Sequence, residues 1–438
     1  MKHLTIILVS LFFIMSCSEK ALVETTVGDG DVILSFNKSE IPSNVNSIEV
    51  ILSREGFDDI TKEFIPTNDS NAEVFFEEVT VGNWNLEVNA YSADHNLLYT
   101  GEAVVSVEAN KVTPVFIQLH YVNGGETGSV YIFVSWESSM NVGWFDYPAN
   151  PILEMQNNSF DYKGILHPFV LKVDDKFIMW YTGLAGSSSH IYAAISTDGL
   201  NWTPYSSEPV ISPDPASTWE NRNVAGTFVI KENGIFKLYY TGRSSTEGDY
   251  SPWNIGLATS EDGFHWEKRK DPVFSGIVGQ WDLKVGVSDI EIIDGLYFMY
   301  YTGKTYLSDH QIGLATSIDG INWERYGGNP ILTDHQSWEG AGYYYPTVIK
   351  KDDSYHMIYM NSVSNVSGFG YATSSDGLNW KKSESNPFIT SDETYSKWER
   401  ILYPNIVELE NEYRIYYTGN NVSTDERAIC VMRKFIQK

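Results

Sequence analysis

The sequence predicts an all-β protein, with an N-terminal immunoglobulin-like β-sandwich over residues 22–137 and a five-bladed β-propeller over residues 140–438. Three observations predict it. Aromatic residues make up 14% of the 438 residues, a share that suits pleated, half-buried surfaces and sugar-stacking faces better than helical bundles. Short apolar–polar alternations bounded by turn residues run through the first third of the chain. In the last two thirds, three motifs recur, and successive Tyr-Thr-Gly copies start 57 to 61 residues apart, a length that holds four short strands.

Residues 1–16 read as a targeting segment. Lys2 and His3 precede an apolar run from Leu4 to Met15, which is too short to span a bilayer comfortably, and Ser16-Cys17 ends it. A small residue followed by Cys resembles the end of a bacterial lipoprotein signal. Cys17 is therefore expected to be lipidated, and the protein to be an extracytoplasmic, membrane-anchored lipoprotein. An ordinary signal peptide with a chance Cys is the alternative. The only other cysteine, Cys430, reads as a strand residue without chemistry, and two cysteines cannot form a disulfide framework. With 57 acidic and 30 basic residues the formal net charge is −27, which repels phosphate backbones and argues against a nucleic-acid partner. A monomer is expected.

Strands of the sandwich are read at Val32–Phe36, Ile48–Leu52, Trp84–Val88, Val104–Val107, Val115–Leu119 and Val130–Trp136. Turns at Gly28-Asp29-Gly30, Val81-Gly82-Asn83 and Ala93–Asn96 separate several of them. Six or seven short strands at this spacing suggest an immunoglobulin-like fold. The segment reads as a spacer, with a glycan-binding module as the alternative.

The propeller is read from its repeats. Tyr-Thr-Gly follows an aromatic residue at Trp180–Gly183, Tyr239–Gly242, Tyr300–Gly303 and Tyr416–Gly419, and a fourth copy has decayed to Tyr359-Met360-Asn361. An Asp-Gly hairpin leading to Trp spans Ile195–Trp202, Ala258–Trp266, Ala315–Trp323 and Ala372–Trp380. A polar residue then precedes Pro151, Pro209, Pro272, Pro330 and Pro387. The last blade lacks a fourth strand after Ala428–Met432. Residues 144–153, with the seven-residue spacing from Trp144 to Pro151 that Trp323 and Pro330 also show, are expected to supply it and close the ring.

Five blades, Tyr-Thr-Gly strand ends and these Asp-Gly hairpins resemble the glycoside hydrolases of families 43, 32, 62 and 68 and the family 130 mannoside phosphorylases. The resemblance implies a carbohydrate ligand and a site over the propeller axis. In families 43 and 32 it implies acids on the inner strands of the first three blades, the first of them before a Pro. Here that position is His167, so the sequence departs from the pattern.

Loop assignment puts the long connections on one face, where a ligand should sit. Aromatic–carboxylate pairs recur there at Phe160-Asp161, Trp219-Glu220, Trp281-Asp282, Trp338-Glu339 and Trp398-Glu399. Fivefold recurrence argues for a mainly structural role. Residues that break the repeat are more informative. Just before the inner strands the chain reads His167-Pro168, Gly226-Thr227, Ser288-Asp289, Tyr345-Pro346 and Tyr403-Pro404, and Asp289 is the one carboxylate among them. Glycoside hydrolysis needs two carboxyl groups across the scissile bond. Asp289 with Asp161, Glu220 or Asp282 is the candidate pair, and Lys284 the structural partner Asp289 could have instead. His167, Arg222, Lys284, Arg243, Trp253, Tyr345 and Tyr403 are the candidate substrate contacts, with His190, Glu247, Asp249, Lys304, Asp309 and His310 on nearby loops. No cofactor and no catalytic metal are expected, and a structural metal at the axis is left open. Hydrolysis of oligo- or polysaccharides is the leading reading. A non-catalytic glycan-binding propeller is its rival, and a mannoside phosphorylase using Arg222, Lys284 and Arg243 for phosphate comes third.

Overall fold

Among the described residues there is no α-helix, and the strands are short and follow one another closely. The computed structural model describes residues 29–37, 44–65, 71–107, 120–121, 144–147, 149–155, 163–244, 252–305, 309–361, 366–394 and 398–435. The chain divides into two bodies, Met1–Trp136 and Glu137–Lys438.

The first body contains two antiparallel sheets. Asp29–Asn37 pairs with Asn71–Thr80. A five-stranded sheet runs in the order Ile60–Phe64, Ser47–Ser53, Gly82–Tyr91, Leu97–Val107, His120–Tyr121. Ile48, Val50 and Leu52 alternate inward with Trp84, Leu86 and Val88 to form its core. The expected strands Val115–Leu119 and Val130–Trp136 lie outside the described residues, as do Gly28 and the whole targeting segment with Cys17.

The strands of the second body follow one another in antiparallel runs, numbered here in chain order as sheets 1 to 5; one parallel pair, Ser189 with Asn223, joins sheets 1 and 2, and the short strands Phe274–Ser275 and Ile389–Thr390 add to sheets 2 and 4. Sheet 1 contains Ile165–Val173, Lys176–Ala185, Ser188–Ser196 and Thr203–Pro204. Sheet 2 contains Asn223–Glu232, Ile235–Arg243, Asn254–Ser260 and Glu267–Lys268. Sheet 3 contains Lys284–Ile293, Leu296–Lys304, Gln311–Ser317 and Glu324–Arg325. Sheet 4 contains Tyr343–Lys351, Ser354–Asn361, Gly368–Ser374 and Lys381–Lys382. In sheet 5, Arg400–Glu408, Glu412–Asn421 and Glu426–Phe435 are completed by Phe145–Asp146, which pairs with Arg433 and Met432. The inner strands touch in series, and that of sheet 5 touches that of sheet 1, so the ring is closed. Asn150 holds the closing strand by a two-way amide clasp. Its Oδ1 accepts the Val431 N–H and its Nδ2 donates to the Val431 carbonyl, both at 2.9 Å.

Each residue of the Tyr-Thr-Gly motif has a distinct task. The Thr hydroxyl accepts a backbone N–H from the next sheet's inner strand: Thr182 from Gly226, Thr241 from Val287, Thr302 from Tyr345 and Thr418 from His167, at 2.9–3.3 Å. In sheet 4, Met360 Sδ takes that place and accepts from Tyr403. The Gly makes room for the tryptophan of the aromatic–carboxylate pair. A Cβ at Gly242 would overlap Trp219, and one at Gly303 would overlap Trp281. Packing of this density tolerates no extra methyl group without displacement.

The Asp-Gly hairpins are self-contained. In each, Ser196, Ser260, Ser317 or Ser374 accepts the N–H of the turn glycine. The Asp carboxylate accepts the two backbone N–H groups that follow the glycine, as Asp319 does from Ile321 and Asn322 at 2.8 Å.

Candidate functional site

The inner strands open toward the site through a β-bulge, and the bulge sets which side chains meet. His167, Gly226, Tyr345 and Tyr403 have positive φ, between 48° and 58°. For three of the four this is a conformation that side chains rarely adopt, and strain of this kind concentrates at functional positions. Their rings converge: His167 lies 3.7 Å from Tyr403 and 5.1 Å from Tyr345, centroid to centroid. Together with Ser288, Thr227 and Asn405 they leave an axial well of only about 30 Å³. Both His167 ring nitrogens are buried without a hydrogen-bond partner, and burial pushes its pKa down to about 3, so the ring is neutral at physiological pH.

Beside this aromatic floor is a pocket of about 310 Å³. His167, Tyr345, Tyr403, Trp253 and Arg243, all candidate contacts from the sequence, line it together with the hydrogen-bonding groups of Thr182, Ser189, Asn223 and Thr241. The four polar residues were missed, although Thr182 and Thr241 belong to the repeated motif and mark the pocket rim in hindsight. Lys284 is beside the pocket, with its Nζ 5.5 Å from the Trp253 ring centre. Arg222 is not brought in: its Nε donates to the Ser187 carbonyl and fastens sheet 2 to sheet 1. A larger cavity of about 640 Å³ is lined by the Asp319 hairpin, where turn groups already occupy the carboxylate.

The expected acids are placed differently from the expectation. Glu220 and Asp282 do not face the axis. Asp282 accepts from Arg325 at 2.7 Å and from the Tyr301 hydroxyl at 2.9 Å. Glu220 pairs with Lys268 at 2.7 Å, and the Tyr240 hydroxyl lies close enough to feel its charge. Glu339 repeats the pattern with Lys382 and Tyr359. Asp282 and Glu339 thus tie a second-strand Tyr to a fourth-strand cation of the same sheet, and Glu220 holds the fourth-strand Lys268 with Tyr240 alongside. Such buried pairs are costly to break, because loss of one member leaves a charge unpaired. In sheet 5 the acid has moved: Asp146, on the closing strand, accepts from Tyr417 at 2.6 Å, while Glu399 is exposed and bonds Ser423. Asp161, Glu247 and Asp249 lie outside the described residues.

Asp289 is one position deeper than the sequence alignment put it. The bulge between Val287 and Asp289 places it opposite Tyr300, as Phe169 is opposite Trp180 and Asn405 opposite Tyr416. It is 3% exposed. Its Oδ2 accepts the Val348 N–H at 2.8 Å, tying sheet 3 to sheet 4, and its Oδ1 has no partner. Thr347 and Asn405 make the same link onward, to Ile406 and Val170. The partner of Asp289 is therefore this backbone amide and not Lys284. Burial raises its carboxyl pKa, and the Val348 hydrogen bond opposes the rise. Glu291, on the same strand face, is raised by burial and by the charge of Asp289. Among the described residues, no cluster of three or more metal-ligating side chains occurs.

Rings of short antiparallel strands with a polar, aromatic-walled pocket beside the axis occur in carbohydrate-active propellers, and comparisons with known proteins point the same way. The family model for β-1,4-mannooligosaccharide phosphorylases matches residues 73–289, and that for the N-terminal domain of family 32 glycosyl hydrolases matches residues 225–424. A 1,2-β-oligomannan phosphorylase of Thermoanaerobacter sp. is 37% identical over 121 residues, 26% of this chain and 40% of that protein. A β-1,2-mannobiose phosphorylase of the same organism is 35% identical over 114 residues, 23% of this chain and 36% of that protein. The matched stretches thus span less than half of either curated relative. In fold, the chain is similar to a structure from the family 130 mannoside phosphorylases, a family containing glycoside hydrolases that target β-1,2 mannosidic linkages in Candida mannan. That likeness has TM-score 0.55 at 16% identity, covering 68% of this chain and 95% of the other. A thermostable family-43 glycoside hydrolase matches with TM-score 0.52 at 19% identity, covering 67% and 96%. The chain is thus similar to propeller glycoside hydrolases and phosphorylases, each family model matching just under half of its length.

Proposed function

We propose that the propeller, read as five-bladed, binds a glycan in the pocket beside the axis and hydrolyses its glycosidic bond. The observation that carries this is the pocket wall, where the rings of Tyr345, Tyr403 and Trp253 stand beside hydroxyl and amide groups of Thr182, Ser189, Thr241 and Asn223. Sugars need both, an apolar face for the ring and hydrogen bonds for its hydroxyls. Relatives named for β-mannosidic substrates make mannooligosaccharides the first compounds to test. Asp289 is the described residue assigned the acid role, because a carboxyl raised by burial keeps its proton near neutrality. Asp161 is its proposed partner.

The test is turnover of a panel of β-mannooligosaccharides and plant or microbial oligosaccharides by wild type and Asp289→Asn. Asn405 already performs the same inter-sheet link with an amide oxygen, so the substitution should preserve the fold. Loss of ~10²–10⁴ in rate is expected, and full retention would remove Asp289 from the chemistry. A strict need for inorganic phosphate would replace hydrolysis with phosphorolysis. A second reading, a glycan-binding propeller without catalysis, is favoured by one observation: among the described residues lining the pocket there is no carboxylate. Binding without any product release would establish it.

We also propose that the first body is an immunoglobulin-like spacer and that lipidated Cys17 anchors a monomeric protein outside the cytoplasm. Cys17→Ala should then leave the membrane pellet, and unchanged pelleting would discard the anchor.

A further inference from the structure

We infer that Arg243, Lys284 and Lys304 form an anion-binding platform on the pocket rim, and that the ligand it receives is a glycan bearing sugar carboxylates, a uronate-containing oligosaccharide. The inference rests on the reading of this pocket as a glycan site. Several buried or half-buried cations of this acidic chain have acidic partners. Lys237, Lys268, Arg325, Lys382, Arg414 and Arg433 all make ion pairs with carboxylates at 2.6–2.7 Å. Arg243, Lys284 and Lys304 are half-buried and, among the described residues, make none.

Their placement concentrates positive charge. Lys284 and Lys304 are direct cross-strand partners in sheet 3, an arrangement in which like charges repel. Arg243 and Lys304 each follow a Tyr-Thr-Gly, at the same position of adjacent sheets. Arg243 and Lys284 both approach the Trp253 ring, at 5.6 and 5.5 Å from its centre. Burial and the charge of Lys284 hold the Lys304 amine below its usual pKa, so the free protein keeps this cluster at a cost. A bound oxyanion would reverse that cost. The wall beside it is aromatic, a surface that a sugar ring uses and a free phosphate ion does not. The anion is therefore expected to arrive as a substituent of a sugar.

Full-length protein would be titrated calorimetrically with oligogalacturonate, glucuronate-substituted xylooligosaccharide, a neutral β-mannooligosaccharide and inorganic phosphate. A uronate oligomer should bind, more weakly as salt rises. Lys304→Met and Lys284→Met should each weaken that binding ~10-fold or more. Without ligand, both variants should melt no lower than wild type, since cross-strand repulsion is relieved; this also shows that they fold. The inference is overturned if neither uronate oligomer binds, if the variants bind uronate as wild type does, or if phosphate alone binds and turnover requires it. Salt-sensitive uronate binding without cleavage would reject the hydrolase reading and keep this one. Cleavage of neutral mannooligosaccharide with no uronate binding would do the reverse.

Discussion

The Tyr416 hydroxyl donates a 3.0 Å hydrogen bond to the carbonyl of Gly199, although 217 positions separate them in sequence. The same bond recurs around the ring. Trp180 donates to Gly263, Tyr239 to Gly320 and Tyr300 to Gly377, at 2.8–2.9 Å. The aromatic residue before Tyr-Thr-Gly is thus a latch on the Asp-Gly turn of the next sheet. The decayed fourth copy follows from this. Sheet 5 takes its outer strand from Phe145–Asp146 and, among the described residues, has no such turn, so position 358 has no turn to latch and is an isoleucine.

Tyr416→Phe should cost about 0.5–1.5 kcal/mol, the net worth of one hydrogen bond, because the Gly199 carbonyl keeps the Trp202 indole N–H as a second donor. Urea denaturation of the full chain checks it; an unchanged midpoint would mean that the closing latch contributes nothing.

Ile358→Tyr should destabilise rather than repair the motif. The site is 1% exposed, and overfilling a packed position costs about 1–3 kcal/mol. A gain in melting temperature would contradict the latch account.

Glu412 accepts from Arg414 on its own strand and from Arg433 on the strand that receives the closing one, at 2.6 and 2.7 Å. Glu412→Ala leaves two buried guanidinium groups without their carboxylate. A loss of about 3–5 kcal/mol is expected, read by calorimetry.

Two pH effects of opposite sign follow from the carboxylates. Burial alone would raise Asp198, but hydrogen bonds from Asn201, Leu200 and Ser196 hold it down at about 2 against an ordinary 3.8. The stability it contributes is present above pH 3.8 and is lost as pH falls toward 2. Asp289 is raised, so its folded form binds the extra proton, and stability should decline as pH rises above the ordinary carboxylate range toward its folded pKa. Asp198→Asn should flatten the acid limb of a stability–pH curve and Asp289→Asn the neutral one. If both curves keep the wild-type shape, other groups set the profile.

What was legible in the sequence was local. The Asp-Gly hairpins and Tyr-Thr-Gly ends announce themselves because their hydrogen bonds and steric demands fall within a few residues or repeat at a fixed period. The pairing of Phe145–Asp146 with Met432 and Arg433 was legible too, through the Trp144-to-Pro151 spacing. The acids were not. Asp289 was misplaced by one residue because a β-bulge leaves no mark in composition. Glu220 and Asp282 were read toward the axis because their partners, Lys268 and Arg325, lie 48 and 43 residues away. The Lys284–Lys304 opposition needs strand register, which periodicity alone does not fix.

The clasp between Asn150 and Val431 spans 281 residues, and this sets a timetable for synthesis. At ~5–20 residues per second, the closing strand leaves the ribosome ~15–60 s before its partner exists. Throughout that interval sheets 1 to 4 can form in order, but the ring cannot seal, and the waiting edge is open to chaperones or to a neighbouring chain. Completion waits for Glu426–Phe435, the strand that receives Phe145–Asp146, so deleting that one strand should be far more damaging to solubility than its length suggests.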